Sequence, residues 1–486
     1  MASRLLRALA AVVLSSTAAT ADDNTLYQSD FPPDEFTARR ANVFDQIGEA
    51  ASALVQGAPQ LRGFGSFRQN NSMYYLCGIA VPRSYLLLDG RSRKTTLFLP
   101  PRNEGLERSE GKVLSSEDVE LAGRLTGIDD IQPLESLTDY LASATVVFTP
   151  FAPAEEAQMS RDTLRGAQRS VAADPWDGRP SRRQHFRELL KQRHPQIEIK
   201  DLSPILDGLR LIKSRREIEL LRRAGQLSAL ALIEAMRCTE PGVMEYELGA
   251  AASYTYLING ARGAGYRAII AGGANAWYGH YFHNNDVLKD GDLLLMDQAP
   301  DVSYYTSDMG RMWPVNGKYS EVQRELYGYI VEYHKTVLAL VRPGVTADEI
   351  HREAARKMEK VIERTKFSKP VYEKAARATL TFRGHLSHPV GMAVHDVGSY
   401  REGPLRAGMV FAVDPQMWIP EEKRYIRIED TVVVTADGVE NFTGFAPIEL
   451  DDVERLMKEE GLLQFRPATP PSDRRDALGR VSRLSR

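Results

Sequence analysis

The chain is poor in cysteine, with only Cys77 and Cys238 among its 486 residues. Two thiols so far apart make neither a disulfide framework nor a cysteine-based zinc site. Each reads as a small buried hydrophobe. Net charge is also small, -3 from 62 basic and 65 acidic residues. This excludes both the broad basic field of a nucleic-acid binder and the acidic excess of a solvating chain. Beyond the N-terminus no apolar run is long enough to span a bilayer, and no repeat recurs at solenoid spacing. What remains is 43% hydrophobic and 26% charged, the proportions of a globular protein. The length suffices for two or three domains.

The two ends read differently from the middle. Arg4 and Arg7 precede an apolar stretch from Ala8 to Leu14, followed by Ala19-Thr20-Ala21 and then Asp22-Asp23. This is the order of a secretory signal over residues 1–21, cleaved near Ala21. The expectation is an exported protein, periplasmic or secreted. The Ser and Arg content without acids leaves an organelle address as the alternative. The tail 465–486 carries Pro467, Pro470 and Pro471 with no apolar period, and disorder is predicted there.

Two domains are predicted between them. Residues 36–208 form an α/β unit: Glu35 to Leu54 has helical spacing, and Ser84–Leu88 and Lys94–Leu99 are strand-like runs joined at Asp89-Gly90. A second domain spans 209–461. It opens on Ser214 and Glu217, which have capping-box spacing. Ile218, Leu221 and Ala224 continue an apolar helix face, and Pro241-Gly242 closes the helical stretch.

The strongest chemical signal is a set of acids inside apolar, strand-like runs. Leu293–Met296 leads into Asp297, and Met409–Val413 leads into Asp414. Glu429 sits in the middle of a predicted strand from Tyr425 to Val434. Asp308 lies eleven residues after Asp297, across a loop at Asp301 to Tyr305. A buried carboxylate is costly unless a cation or donors compensate it. Any one of these acids can be explained by a strand end or a turn. Four of them in one domain, with a histidine available, imply a shared cation site. Oxygen-rich ligands with one imidazole suit manganese, magnesium, cobalt or zinc. His388 and His395, seven apart among glycines and small apolar residues, precede the Asp414 strand. His280 precedes the Asp297 strand.

This ordered set resembles the pita-bread metallopeptidases: Asp297, Asp308, His388, an acid before proline at Asp414-Pro415, then Arg427-Ile428-Glu429-Asp430. It is most similar to the Xaa-Pro aminopeptidases, with prolidase close. The resemblance covers Leu209 to Val434. A weaker likeness to the creatinase/prolidase type of N-terminal domain runs around Arg68-Gln69-Asn70 and Tyr74–Gly78. It implies an α/β (α+β) chain with a C-terminal pita-bread catalytic domain, and two divalent metal ions, manganese foremost, with zinc or cobalt as alternatives. In that family Asp297 would ligate one ion, His388 and Asp414 the other, and Asp308 and Glu429 would bridge. His280 and His395 match histidines beside the scissile carbonyl, and Arg427 matches the arginine beside the bridging glutamate. Asp414 would also relay a proton. The implied reaction is hydrolysis of the N-terminal Xaa-Pro bond through a metal-bridging hydroxide. The implied substrate is a peptide with proline second, and the implied assembly a homo-oligomer, dimer or tetramer. The alternatives are a prolidase, and a pita-bread binding protein with reduced or no catalysis. Four positions depart from the family pattern. Its V-E-P-G reads Val413-Asp414-Pro415-Gln416 here, Gly384 stands where a histidine is usual, and Trp418 replaces a tyrosine.

Overall fold

The structure is a computed structural model, and it describes residues 26–60, 63 and 65–465. The expected leader over 1–21 and the expected disordered tail beyond Phe465 lie outside the described residues.

Near the N-terminus, helix Pro33–Ile47 buries Phe36, Val43 and Phe44. The helical reading to Leu54 ran too far. Gly48, at φ 74°, takes a conformation glycine tolerates and stops the helix. The chain then turns into strand Ser52–Gln56. The strands at Tyr85–Asp89 and Lys94–Leu99 form as expected, paired antiparallel. Asp89 accepts hydrogen bonds in the turn between them. A six-stranded sheet results, in spatial order Asp130–Pro133, Lys94–Leu99, Tyr85–Asp89, Ser52–Gln56, Val146–Thr149 and Glu198–Asp201. Helices pack on it, which makes this region α/β. The expected boundary at Asp207-Gly208 falls within helix Ser203–Leu211.

Helix Arg215–Cys238 starts on the anticipated capping box, with Ser214 Oγ accepting from Glu217 N and Glu217 from Ser214 N. Helix Glu245–Ile258 packs against it. The strands that follow form small antiparallel sheets. One orders Ile269–Gly272, Leu293–Asp297 and Gly310–Pro314; another orders Leu386–Pro389, Val410–Val413, Asp430–Val434 and Val439–Asn441. A hairpin pairs Gln416–Ile419 with Arg424–Arg427, and the bridge between Gly310 and Glu429 joins the sheets. The strand expected from Tyr425 to Val434 is therefore two strands, with Glu429 at the break rather than mid-strand. There the chain leaves its hairpin partner and joins Val410–Val413.

The loop at Asp301 to Tyr305 is tight, with Ser303 at φ 49° and Tyr304 at φ 77°. Such angles are unfavourable for these residues unless the surroundings enforce them. Here Asp301 accepts from Tyr304 N at 2.9 Å, Arg68 pairs with Asp301 at 3.0 Å, and Tyr304 stacks on Tyr74 at 3.5 Å. The N-terminal region thus grips the loop between Asp297 and Asp308. Both cysteines are free and buried. Among the described residues no helix is long and apolar enough to cross a membrane.

Candidate metal centre

Asp297 ends a strand whose five residues are all buried. Asp308 lies two residues before the paired strand, and the register sets Asp297 opposite Gly310. The Tyr266 hydroxyl joins the two acids, 2.6 Å from Asp297 Oδ1 and 3.0 Å from Asp308 Oδ1. Thr431 fixes the Asp308 backbone, accepting from its N–H at 2.7 Å. His388 enters from the edge strand Leu386–Pro389, with Nε2 3.3 Å from Asp308 Oδ2. Ligand atoms of Asp308, His388 and Glu429 lie within 4.8 Å of one another. At Gly310 a Cβ would stand 3.3 Å from both Arg427 Nε and Glu429 Cβ, so glycine keeps that approach open.

Asp414 follows strand Val410–Val413 and faces the same cavity, of about 580 Å³. Its Oδ2 accepts from Gln416 Nε2 at 2.9 Å. Its Oδ1 is buried and has no hydrogen-bond partner among the described residues, although Arg427 Nε lies 3.4 Å away. Arg427 Nη2 pairs with Asp297 Oδ2 at 2.7 Å and also meets Glu429 Oε2. All five candidate ligands therefore share one cavity, together with His280, His395 and Arg427.

The charge balance decides what the cavity suits. One guanidinium serves four buried carboxylates and cannot neutralise them. Burial pushes Asp297 up to about 6, against the opposing pull of Arg427. Burial pushes Asp414 up to about 7, and Asp308 and Asp297 add to the rise while Arg427 resists it. Burial would also raise Asp308, but His388 together with Arg427 and His395 outweighs it and holds Asp308 below the usual range. The Asp308 contact overcomes burial at His388 and raises the imidazole. Acids that resist ionising, hard oxygen donors with one imidazole, and an orphaned carboxylate oxygen fit divalent cations.

A family model for metallopeptidase family M24 matches residues 219–436, and one for the aminopeptidase P N-terminal domain matches residues 36–147. The Xaa-Pro aminopeptidase of Haemophilus influenzae is 32% identical over 452 residues, covering 89% of this chain and 99% of that protein. The chain belongs to metallopeptidase family M24. The Xaa-Pro aminopeptidase of Escherichia coli is 31% identical, covering 88% of this chain and 98% of that protein. Among solved structures, Escherichia coli aminopeptidase P with the inhibitor Pro-Leu superposes with TM-score 0.72 at 29% identity, covering 88% and 99% of the two chains. Proline aminopeptidase P II from Yersinia pestis does so with TM-score 0.72 at 31% identity, covering 88% and 100%.

The chain is thus a hydrolase of a family that works with divalent metals, and its fold is the N-terminal domain plus pita-bread pair. Within this M24 site, sequence reasoning missed Tyr266, Gln416 and Thr431. Tyr266 follows a glycine in a loop and carries no local signal. Gln416 was noted as a departure from the family pattern, but its contact with Asp414 was not foreseen. His385, beside Gly384, does not replace the absent histidine. It is fully buried, with Nε2 2.9 Å from Thr379 O and its ring against Tyr333, away from the cavity.

Proposed function

We propose that the chain is a dinuclear-metal aminopeptidase that hydrolyses the bond between an N-terminal residue and a proline in second position. The observation that carries this reading is the convergence of Asp297, Asp308, His388, Asp414 and Glu429 on one cavity, where among the described residues Arg427 is the one guanidinium paired with them. Relatives named Xaa-Pro aminopeptidase, similar over nearly their whole length, support the substrate class.

In this reading Asp297 would hold one ion, His388 and Asp414 the other, and Asp308 and Glu429 would serve both. Manganese is the ion proposed first, with zinc or cobalt as alternatives. When bound, such a pair lowers the pKa of water and polarises the scissile carbonyl. Asp414 accepts the proton of the attacking water at Oδ1, the oxygen that has no hydrogen-bond partner among the described residues. A ring N–H from His280 or His395, both lining the cavity, stabilises the charge gained by the carbonyl oxygen. Arg427 and Tyr266 hold Asp297 in place. Trp418 lies at the mouth, stacked on Tyr425 at 4.0 Å and edge-on to Trp277 at 5.3 Å. This gives an aromatic wall for the proline ring.

Metal analysis of the purified protein with hydrolysis assays on Xaa-Pro peptides of two and more residues tests this. About two equivalents of metal and cleavage of the longer peptides are expected. Cleavage of dipeptides alone would make the chain a prolidase, and metal without cleavage a binding protein. A homo-oligomer, dimer or tetramer, is proposed with this function. Exposed Tyr254, Leu257 and Ile258 support an apolar contact face. Export after cleavage near Ala21 is proposed from the leader pattern, and N-terminal sequencing of the mature protein checks it.

A further inference from the structure

Asp162 belongs to neither matched family region, since residues 148–218 lie between them. It stands in the first turn of helix Arg161–Ala173, well before the strands of the metal centre in sequence. Yet its Oδ2 is 2.6 Å from His395 Nδ1. His395 also donates its backbone N–H to Ser160 Oγ at 3.3 Å. Gln158, Ser160 and Thr163 line the same cavity as the candidate ligands. A segment outside the catalytic strands therefore forms one wall of the site.

We propose that Asp162 is a positioning residue that accepts the His395 Nδ1–H and turns Nε2 toward the substrate. The inference rests on the proposed function for the identity of that substrate. Nδ1 carries a proton in the imidazolium, and Asp162 selects the neutral tautomer that keeps it there. Nε2 faces the cavity in both states: the imidazolium donates from it to the carbonyl oxygen, whereas the neutral ring only accepts there and leaves that donation to His280. A carboxylate that fixes ring orientation in this way is a recurrent device of catalytic and metal-bound histidines.

The surroundings hold both partners still. Ser160 and Thr163 close a capping box around the helix start, and Thr163 N donates to Asp162 Oδ1 at 2.8 Å. Arg161, between them, pairs with Asp207 at 2.6 Å and Glu155 at 3.5 Å. On the other side Asp396, next to His395, is buried against Arg210 and Lys213. The His395 backbone is thus anchored at Ser160 and through its neighbour Asp396, and its ring at Asp162. The Asp162 side chain is 56% exposed. An ion pair so wet contributes little to stability, so loss of Asp162 separates a positioning role from a merely structural one.

The test uses wild type and the variants Asp162→Ala, Asp162→Asn and Asp162→Glu. It measures kcat and KM on a tripeptide with proline second, Tm, and the ¹⁵N shifts of the His395 imidazole in the metal-free protein. Removal of the carboxylate should lower kcat at least about tenfold, with KM and Tm nearly unchanged. Asp162→Glu should recover most of the loss. The His395 signals should move from the Nδ1-protonated form toward a tautomer mixture in Asp162→Ala. In a His395→Ala background, Asp162→Ala should change kcat less than about twofold. Three results overturn the proposal: unchanged kcat in Asp162→Ala, an undiminished effect in the His395→Ala background, or an unchanged His395 spectrum. If wild type cleaves no such peptide, the proposed function fails instead. The imidazole spectra alone then decide on Asp162.

Discussion

Arg311 donates Nη1–H to the Glu429 carbonyl oxygen at 2.7 Å. The strand that follows Asp308 thereby pins the chain that carries Glu429. The same guanidinium pairs through Nη2 with Asp430 Oδ1 at 2.6 Å, and His334 Nε2 stands 3.0 Å from Asp430 Oδ2. Burial alone would raise Asp430, but Arg311 and His334 outweigh it and hold the carboxyl well below the usual range. Arg311→Met leaves that buried carboxylate with His334 and the neutral donors of Asn441 and Thr443 but no guanidinium. The expected cost is about 3 kcal/mol or more, read as a lower urea midpoint, together with weaker metal binding. Arg311→Met with Asp430→Leu should recover part of the stability, because an apolar pair leaves no stranded charge.

Metal removal should make stability depend on pH in one direction. Without ions, Asp414 is raised to about 7 and Asp297 to about 6, both by burial first. In the unfolded chain both ionise near 4. Their contribution to stability is therefore present at low pH and is lost as pH rises through the folded values. His388, raised by Asp308, acts in the same sense. Between about pH 5 and 7.5 the chelated protein should lose a few degrees of Tm relative to the loaded protein. Bound ions favour the carboxylates over that range. The gap between loaded and chelated Tm should widen as pH rises, and a constant gap would contradict this account.

Some of the centre was legible before folding because charge inside an apolar run is physically conspicuous. Asp297 ends a buried strand and Asp414 directly follows one, as the charge inside each apolar run suggests. Glu429 was found for a similar reason but assigned to mid-strand. Its position at a break between sheets depends on the bridge to Gly310, a contact across 119 residues. Tyr266, Gln416 and Asp162 act through hydrogen bonds that only packing creates. No spacing announces them. The helix overrun toward Leu54 has a local cause: a short buried strand such as Ser52–Gln56 presents too few residues to display its period.

Two buried histidines beneath the His388 strand should make the protein acid-labile. His351 Nε2 accepts from Leu386 N at 3.3 Å, and His385 lies against Tyr333. Burial lowers each to about 4. Unfolded, they titrate near 6.5. Protons therefore bind the unfolded chain preferentially between these values. The stabilisation is full above pH 6.5 and is lost as pH falls toward 4. The loss should be on the order of 2 kcal/mol per histidine. His351→Gln with His385→Gln should flatten urea midpoints measured from pH 6.5 to 4.5. An equally steep fall in the variant would place the acid sensitivity elsewhere.

Asp414 and Gln416 should act as a coupled pair in metal binding. Gln416 Nε2 donates to Asp414 Oδ2 at 2.9 Å, and Tyr425 OH donates to Gln416 Oε1 at 3.0 Å. The amide therefore reaches toward a carboxylate one methylene shorter than the family's usual glutamate, from a position where the family has glycine. Asp414→Glu alone pushes the longer side chain against that amide. Gln416→Gly alone leaves a short carboxylate without its donor. Each single change should weaken binding of the ion proposed for His388 and Asp414. The double change restores the family arrangement and should bind it more tightly than either single variant. The coupling free energy should be about 1 kcal/mol, obtained from calorimetric dissociation constants of the four proteins. Additivity to within about 0.3 kcal/mol would mean that the two residues touch without cooperating, and that the shorter acid stands alone as the site's departure.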